Sequence, residues 1–361
     1  MKKSAIIFGA TGQDGYYLSK LLLEKGYTVL AVKRRTSVNN AIRIDSLTSN
    51  PEYHITEGDV SDFMSVCHCF SKIFTLYKDY DKIEVYNLAA QSHVHTSFNQ
   101  PSYTFDVNTK GVLNILENIR CCSVLHNISF YQASTSEMFG SKVSHKAGIN
   151  EYHTDISEIL SKKYVGVKLE NAYQSENTPF VPMSPYAVSK LAAHQLVNNY
   201  RKAYGIHASC GILFNHESVM RGDNFVTKKI TNFIREYKNS YDNGTPLPKL
   251  QLGNLSAYRD FGYAGDYVEA MWLMLQQKEP DDYVVATGKS VSVQEFLDRA
   301  IKISNTKDIG IENYISTSQD FVRPSEVDYL RGDASKARKV LGWKPKVDLD
   351  ELIYRMIHNR E

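Results

Sequence analysis

Tyr186 and Lys190 stand four apart in Ser184-Pro185-Tyr186-Ala187-Val188-Ser189-Lys190. On a helix that spacing puts both side chains on one face. An ammonium beside a phenol favours the phenolate and draws the tyrosine below its ordinary pKa of about 10. Such a tyrosine can take a hydroxyl proton while hydride leaves for a nicotinamide ring. The same spacing also suits a tyrosine that is merely packed. Upstream, the apolar run Ile128 to Ala133 leads into Ser134-Thr135-Ser136-Glu137-Met138-Phe139-Gly140. The Thr135 hydroxyl can hydrogen-bond an oxygen on which charge develops. Glu137 has no task in a simple reductase, whereas a dehydratase needs a base to remove a proton next to a transient ketone. A cap or a salt bridge is its other reading.

The cofactor such chemistry needs has its own signature at the start of the chain. Gly9-Ala10-Thr11-Gly12-Gln13-Asp14-Gly15 sets glycines at intervals of three after a short apolar run and before a helical pattern. A turn this tight needs residues without Cβ, and a pyrophosphate needs close backbone approach and a helix N-terminus. Beyond the second strand the chain reads Lys33-Arg34-Arg35-Thr36-Ser37, with no carboxylate to grip ribose hydroxyls. Guanidinium and hydroxyl groups there suit a 2′-phosphate, which favours NADP over NAD. A solvated basic edge is the plainer alternative. Asp59 and Val60 are placed to meet the adenine, and Asn87-Leu88-Ala89-Ala90-Gln91-Ser92 supplies small residues where backbone must pass a cofactor.

These groups need a scaffold, and the strand and helix signals alternate. Strands are expected at Ser4–Phe8, Thr28–Val32, Tyr53–Ile55, Lys82–Leu88, Ile128–Ala133 and Ala208–Leu213, with helices at Tyr17–Lys25, Tyr103–Ile119 and Pro185–Tyr204. The pattern predicts an α/β fold, a doubly wound parallel (Rossmann) sheet. Residues 1–214 are read as the NADP-binding domain, with an insertion at about 141–177. Residues 215–361 are read as a smaller substrate-binding lobe, partly interleaved with the first. Hydrophobic residues make up 42% of the 361 and charged residues 23%, as in a folded soluble protein. Lys and Arg number 42 against 40 Asp and Glu, which disfavours a nucleic-acid binder. The apolar stretch after Met1-Lys2-Lys3 stops at Gly9, too short for a signal core or a membrane span. Five cysteines without metal-ligand spacing point to reduced thiols, a cytoplasmic protein and no metal.

Over nearly its whole length the chain resembles the GDP-mannose 4,6-dehydratase family of extended short-chain dehydrogenase/reductases. The likeness runs through the glycine turn, Arg34-Arg35 with Arg43-Ile44, Asn87 to Val94, Ser134 to Gly140 and Ser184 to Lys190. The second half adds Phe214-Asn215-His216-Glu217-Ser218, Asn224 to Ile230, Leu252-Gly253-Asn254-Leu255, Arg259-Asp260 and Arg323-Pro324-Ser325-Glu326-Val327-Asp328. These later blocks are the more specific ones.

The resemblance implies that Thr135, Glu137, Tyr186 and Lys190 are catalytic. Tyr186 would deprotonate the C4 hydroxyl, Glu137 would remove the C5 proton, water would leave from C6, and the hydride borrowed from C4 would return to C6. It further implies cofactor contacts from Gly9, Thr11, Gly12, Gln13, Asp14, Gly15, Arg34, Arg35, Ser37, Asp59, Val60, Leu88, Ala90, Ser92, Tyr103, Tyr186, Lys190, His216 and Arg221. The GDP-sugar would meet Ser92, Asn215, Val226, Lys229, Arg259, Arg323 and Glu326. In the family the segment matching Arg34 to Arg43 reaches a neighbouring subunit's cofactor, which implies a tetramer.

The chain departs from the pattern twice. The 48 residues between Glu137 and Tyr186 are about twice the family's usual number, and Val219-Met220 replace Pro-Arg. The extra stretch is polar, contains Tyr152, Tyr164 and Tyr173, and is read as a surface excursion. Rival readings keep the chemistry on another GDP-sugar such as GDP-manno-heptose, or make the chain an NADP-dependent epimerase or reductase, or a non-catalytic NADP sensor.

Overall fold

The computed structural model describes residues 3–37, 41–76, 81–123, 126–147, 149–161, 167–321 and 323–361. Lys3–Phe8 (β1), Thr28–Lys33 (β2), Tyr53–Glu57 (β3), Lys82–Asn87 (β4), Ile128–Thr135 (β5), His207–Leu213 (β6) and Asp282–Val285 (β7) form one parallel sheet. Its order is β7-β6-β5-β4-β1-β2-β3, with β1 and β4 adjacent where the winding reverses. Ligands of such sheets sit at that switch point, beyond the carboxyl ends of the strands.

Alternation along β1 shows why both faces must be covered. Ala5 and Ile7 join a cluster with Leu18 and Leu22 of helix α1 (Gln13–Glu24). Ile6 and Phe8 join another, with Val66 and Phe70 of α2 (Phe63–Leu76) and Ile115 and Leu116 of α3 (Gly111–Cys122). A strand buried on both faces reads as a continuous apolar run, and this one does. Helix α4 (Pro185–Tyr204) covers the second face through Ala193 and Val197. Its ends are set by chemistry: the Ser184 hydroxyl caps Ala187 N–H at 3.1 Å, Pro185 opens the first turn, and Gly205 closes it at φ 64°.

The longer helices that follow are α5 (Val226–Asn243), α6 (Ala264–Met274), α7 (Val293–Ser304) and α8 (Leu349–His358). Helix α6 lies beside α1 on the first face, while α5, α7 and α8 share a separate core built on Ile230, Ile234, Phe296 and Ile353. Six of the seven main-sheet strands are legible in the sequence; β7 is not. The helix expected over Tyr103–Ile119 is divided: Pro101–Phe105, a π-helical turn at Asp106–Lys110, then α3.

The stretch after Glu137 folds into an antiparallel hairpin, Lys142–Ala147 with Asn150–Asp155, followed by a short helix at Ile156–Leu160. It is docked rather than free. Gln174 exchanges hydrogen bonds with Tyr329, Arg331 and Asp333, and the Tyr329 hydroxyl donates to the carbonyls of Leu169 and Ala172. Tyr164 lies outside the described residues.

Candidate active site

A cleft of about 660 Å³ opens above the carboxyl ends of β1, β4, β5 and β6. The turn between β1 and α1 forms its floor. Gly9 has φ +83°, and a Cβ there would stand 2.7 Å from the Ala89 nitrogen. A Cβ on Gly15 would lie 2.4 Å from the Ala10 carbonyl oxygen. The turn therefore closes only with glycine at these places, and Gly12 leads into the first turn of α1. The side chains that follow clamp the second half of the chain. Gln13 donates to the His216 carbonyl at 3.0 Å and accepts from Ser218 at 2.8 Å.

Asp14 meets His216 Nε2 at 2.8 Å, and His216 Nδ1 faces the Phe214 carbonyl at 2.8 Å. With acceptors on both ring nitrogens, the imidazole is held as the cation. Burial opposes that charge, but the Asp14 carboxylate outweighs it and raises the His216 pKa. Burial likewise opposes ionisation of Asp14, yet His216 and the Gln13 amide hold its carboxyl below the usual range.

β5 and α4 bring the expected catalytic set together. Thr135 ends β5 and caps the single turn Ser136–Phe139, accepting from the Glu137 N–H at 3.3 Å. The Thr135 hydroxyl also lies close enough to the Tyr186 phenol to favour its ionised form. All four of Thr135, Glu137, Tyr186 and Lys190 are buried and line the cleft. The lysine does not act on the tyrosine as the spacing suggests. Burial pushes the phenol up to about 12; the nearby Thr135 hydroxyl lowers it, the Glu137 charge raises it, and Arg221 lowers it. Lys190 is itself drawn down to about 8 by burial, and its ammonium donates to the Ala133 carbonyl at 2.9 Å. Both groups have been taken out of water, and loss of solvation is the largest cause of each shift.

At the other end of the cleft Arg259 lies 2.8 Å from Glu326, and Arg323 lies 3.1 Å from Glu326 and 3.9 Å from Glu137. The ammonium of Lys229 sits 4.7 Å over the Phe321 ring. Asn215, on the short strand Asn215–Glu217 paired with Tyr258–Tyr263, and Val226, at the start of α5, complete that wall with Ser92. Arg221 pairs with Glu217 at 3.0 Å and stacks on Phe225 at 3.7 Å. The Val219-Met220 departure is accommodated by backbone: Lys228 takes the Val219 carbonyl at 2.7 Å and Arg43 the Met220 carbonyl at 2.9 Å.

Gly9, Gly12, Gln13, Asp14, Gly15, Leu88, Ala90, Ser92, His216 and Arg221 line the cleft, as do all the expected sugar-side residues. Thr11, Arg34, Arg35, Ser37, Asp59, Val60 and Tyr103 do not line it. Thr11 belongs to the glycine turn, and its carbonyl accepts from Arg43 at 3.4 Å. Arg34, Arg35 and Ser37 follow β2, and Arg34 hydrogen-bonds the Tyr103 hydroxyl. The Asp59 carboxylate accepts from Ser61, and the Val60 carbonyl accepts from Asn114 at 2.8 Å.

His95, Phe225 and Phe321 also line the cleft without having been singled out. Residue type and local spacing do not mark them, because only the fold brings them to the rim. No described residue of 141–177 lines the cleft. Among the described residues, His194, Cys210 and Asp282 form the one group of ligand-type side chains close enough to share an ion, and no helix is long and apolar enough to cross a membrane.

Solved structures show the same architecture at low identity. A dTDP-glucose 4,6-dehydratase from Bacillus anthracis, in complex with NAD, superposes with a TM-score of 0.74 at 17% identity, covering 99% of this chain and 96% of that one. RMD from Pseudomonas aeruginosa, complexed with NADPH, gives 0.68 at 20%, covering 99% and 98%. Sequence relatives are nearer. GDP-mannose 4,6 dehydratase 1 of Arabidopsis thaliana is 44% identical, covering 99% of this chain and 89% of the relative. The GDP-mannose 4,6-dehydratase of Yersinia enterocolitica is 39% identical, covering 98% and 93%. The family model for GDP-mannose 4,6 dehydratase matches residues 6–155 and 166–356, and the chain belongs to that family.

Proposed function

We propose that this enzyme converts GDP-mannose to its 4-keto-6-deoxy derivative and water, as a hydro-lyase with a recycled nicotinamide cofactor. The observation that carries the reading is Glu137, a buried carboxylate within the same cleft as the Tyr186–Thr135 pair. A reductase or epimerase leaves that carboxylate idle, and a sensor leaves the whole set idle.

The residues fit a dinucleotide: Gly9 and Gly15 remove the Cβ atoms that would fill the turn, and Gly12 opens α1. Arg34, Arg35 and Ser37, with no carboxylate at the end of β2, support NADP specifically. Bound there, the cofactor supplies a reversible hydride acceptor. Tyr186 takes the C4 hydroxyl proton, with Thr135 hydrogen-bonding the oxygen as it becomes a ketone. Lys190 orients the reacting groups from the same helical face. Glu137 removes the C5 proton that the ketone has acidified. The leaving C6 hydroxyl would depart as water with the proton from Glu137, and the Tyr186 proton would pass to C5 as the borrowed hydride is returned to C6, which completes the 4-keto-6-deoxy sugar. Lys229, Arg259 and Arg323 offer cations to the diphosphate, and Glu326 offers an acceptor to ribose or base. The protein is read as cytoplasmic and tetrameric.

Mass spectrometry of the product made from GDP-mannose, without added cofactor, tests the assignment. Loss of one water is expected. An unchanged nucleotide sugar, alongside conversion of GDP-manno-heptose, would transfer the chemistry to the larger sugar.

A further inference from the structure

Helix α4 docks on β5 through three successive turns rather than two. Tyr186, Lys190 and His194 stand at i, i+4 and i+8, and each engages one residue of Ala133-Ser134-Thr135. The Tyr186 phenol lies close to the Thr135 hydroxyl and Lys190 donates to the Ala133 carbonyl at 2.9 Å; His194 Nδ1 lies 3.0 Å from Ser134 Oγ. The first two belong to the chemistry proposed above. The third has no part in it, yet it is the most elaborately supported. His194 is only 3% exposed, and its Nε2 lies 3.5 Å from an Asp282 carboxylate oxygen. Asp282 in turn accepts from Arg201 of α4 and, at 3.2 Å, from the Cys210 backbone N–H. The edge of the His194 ring is set against Phe180 at 5.4 Å and 73°.

The bonding directions follow from the partners. A carboxylate only accepts, so a hydrogen on Nε2, 3.5 Å from Asp282, is the arrangement that lets Nδ1 accept from the Ser134 hydroxyl. Burial holds the imidazole pKa below its usual value, and with it the neutral ring this arrangement needs. The resulting chain, Arg201–Asp282–His194–Ser134, runs across β7, β6 and β5 and ends one residue from Thr135. His194, Cys210 and Asp282 could present ligand atoms to an ion, all lying within 4.8 Å of one another. The guanidinium already on Asp282 would have to be displaced first.

We propose that His194 is a positioning residue for the dehydration, fixing the end of β5 through Ser134 so that Thr135 meets the Tyr186 phenol. It touches neither substrate nor cofactor, and the proposal rests on the functional reading above. A misplacement of about 1 Å in a catalytic group can cost about a hundredfold in rate.

The test is steady-state kinetics on His194→Ala, His194→Asn, Ser134→Ala and the double variant His194→Ala/Ser134→Ala. In His194→Ala, kcat should fall on the order of ten- to a hundredfold, with the KM for GDP-mannose within about twofold. His194→Asn, which keeps a polar group near Nδ1, should recover part of the loss, and the double variant should be no worse than His194→Ala. A kcat within about twofold of the wild type, a loss confined to KM, or additive effects would overturn the proposal. If His194→Ala does not fold, Ser134→Ala carries the same expectation alone. Zinc retained stoichiometrically by the dialysed wild type and lost in His194→Ala would overturn it in favour of a metal site. Wild-type protein that forms no product from GDP-mannose defeats the functional reading instead. The network is then judged on the free protein by imidazole ¹⁵N shifts: an Nε2–H tautomer perturbed by Ser134→Ala supports it, and insensitivity refutes it.

Discussion

Glu137→Gln separates proton abstraction from everything else Glu137 does. The side chain is 12% exposed, and its backbone N–H, not its carboxylate, makes the bond to Thr135. An amide of the same shape therefore preserves the turn that ends β5. What disappears is a base and a negative charge. Removal of a general base costs about 10²- to 10⁴-fold in rate, which corresponds to about 2.7–5.4 kcal/mol of transition-state stabilisation. The ion pair with Arg323, 3.9 Å long and with Arg323 about one-quarter exposed, adds little to stability, so the variant should melt within a few degrees of the wild type. The lost charge has a second effect of known sign. Because the Glu137 carboxylate raises the Tyr186 pKa, its removal should lower that pKa and extend the residual activity to lower pH. The assay is product formation from GDP-mannose by mass spectrometry, run in deuterated water to follow exchange at C5. We expect folded protein, turnover reduced at least a hundredfold, and no C5 exchange. Turnover within about threefold of the wild type, with C5 exchange intact, would refute the assignment of the base.

Tyr186→Phe should lower kcat by about 10²- to 10⁴-fold, with little change in melting temperature, since it removes one hydroxyl and keeps the ring; a rate comparable to the wild type would sink its role. Arg323→Ala should raise the KM for GDP-mannose about tenfold or more, the loss expected of a charge-assisted bond, measured by initial rates across substrate concentration. Gly9→Ala should destabilise the protein by about 1–3 kcal/mol from backbone strain alone, with the Ala89 contact adding to it, as read by urea denaturation. The Asp14–His216 pair predicts a pH window. His216, whose folded pKa is raised, contributes stability that is complete below about 6.5 and is lost as pH rises through the raised value; Asp14, whose folded pKa is lowered, contributes above about 3.8 and fails as pH falls through the lowered value. His216→Ala should therefore cost most between about pH 4 and 6.5, about 2–3 kcal/mol after discounting the breakage of a buried pair for partial exposure; a penalty independent of pH would contradict the pairing.

What could be read from the sequence was what is written locally. Helix α4 announces its limits through Ser184, Pro185 and Gly205, and the glycine turn announces itself because its geometry excludes other residues. Long-range pairings are another matter. Asp14 and His216 are 202 positions apart, and His194 needs Asp282 from β7, a four-residue strand whose neighbours give it no distinguishing period. The split of the helix around Asp106–Lys110 arises because Asn108 turns inward to bond Gln91 and Ser189. Its type gives no warning of this. The depressed tyrosine pKa expected from the Tyr186–Lys190 spacing failed for a similar reason: spacing shows which charges are near, and burial decides what they are worth.

Strand β7 also governs the order in which the molecule can be assembled. Its residues, Asp282–Val285, pair with Cys210–Leu213 of β6. Until residue 285 has left the ribosome, β6 is an open sheet edge, the kind of surface that recruits foreign strands. A fragment ending at residue 214 would keep that edge permanently and would lack Asp282 beneath the strand that carries Thr135. The catalytic face is thus among the last parts of the chain to be finished during synthesis, although most of its residues are made early.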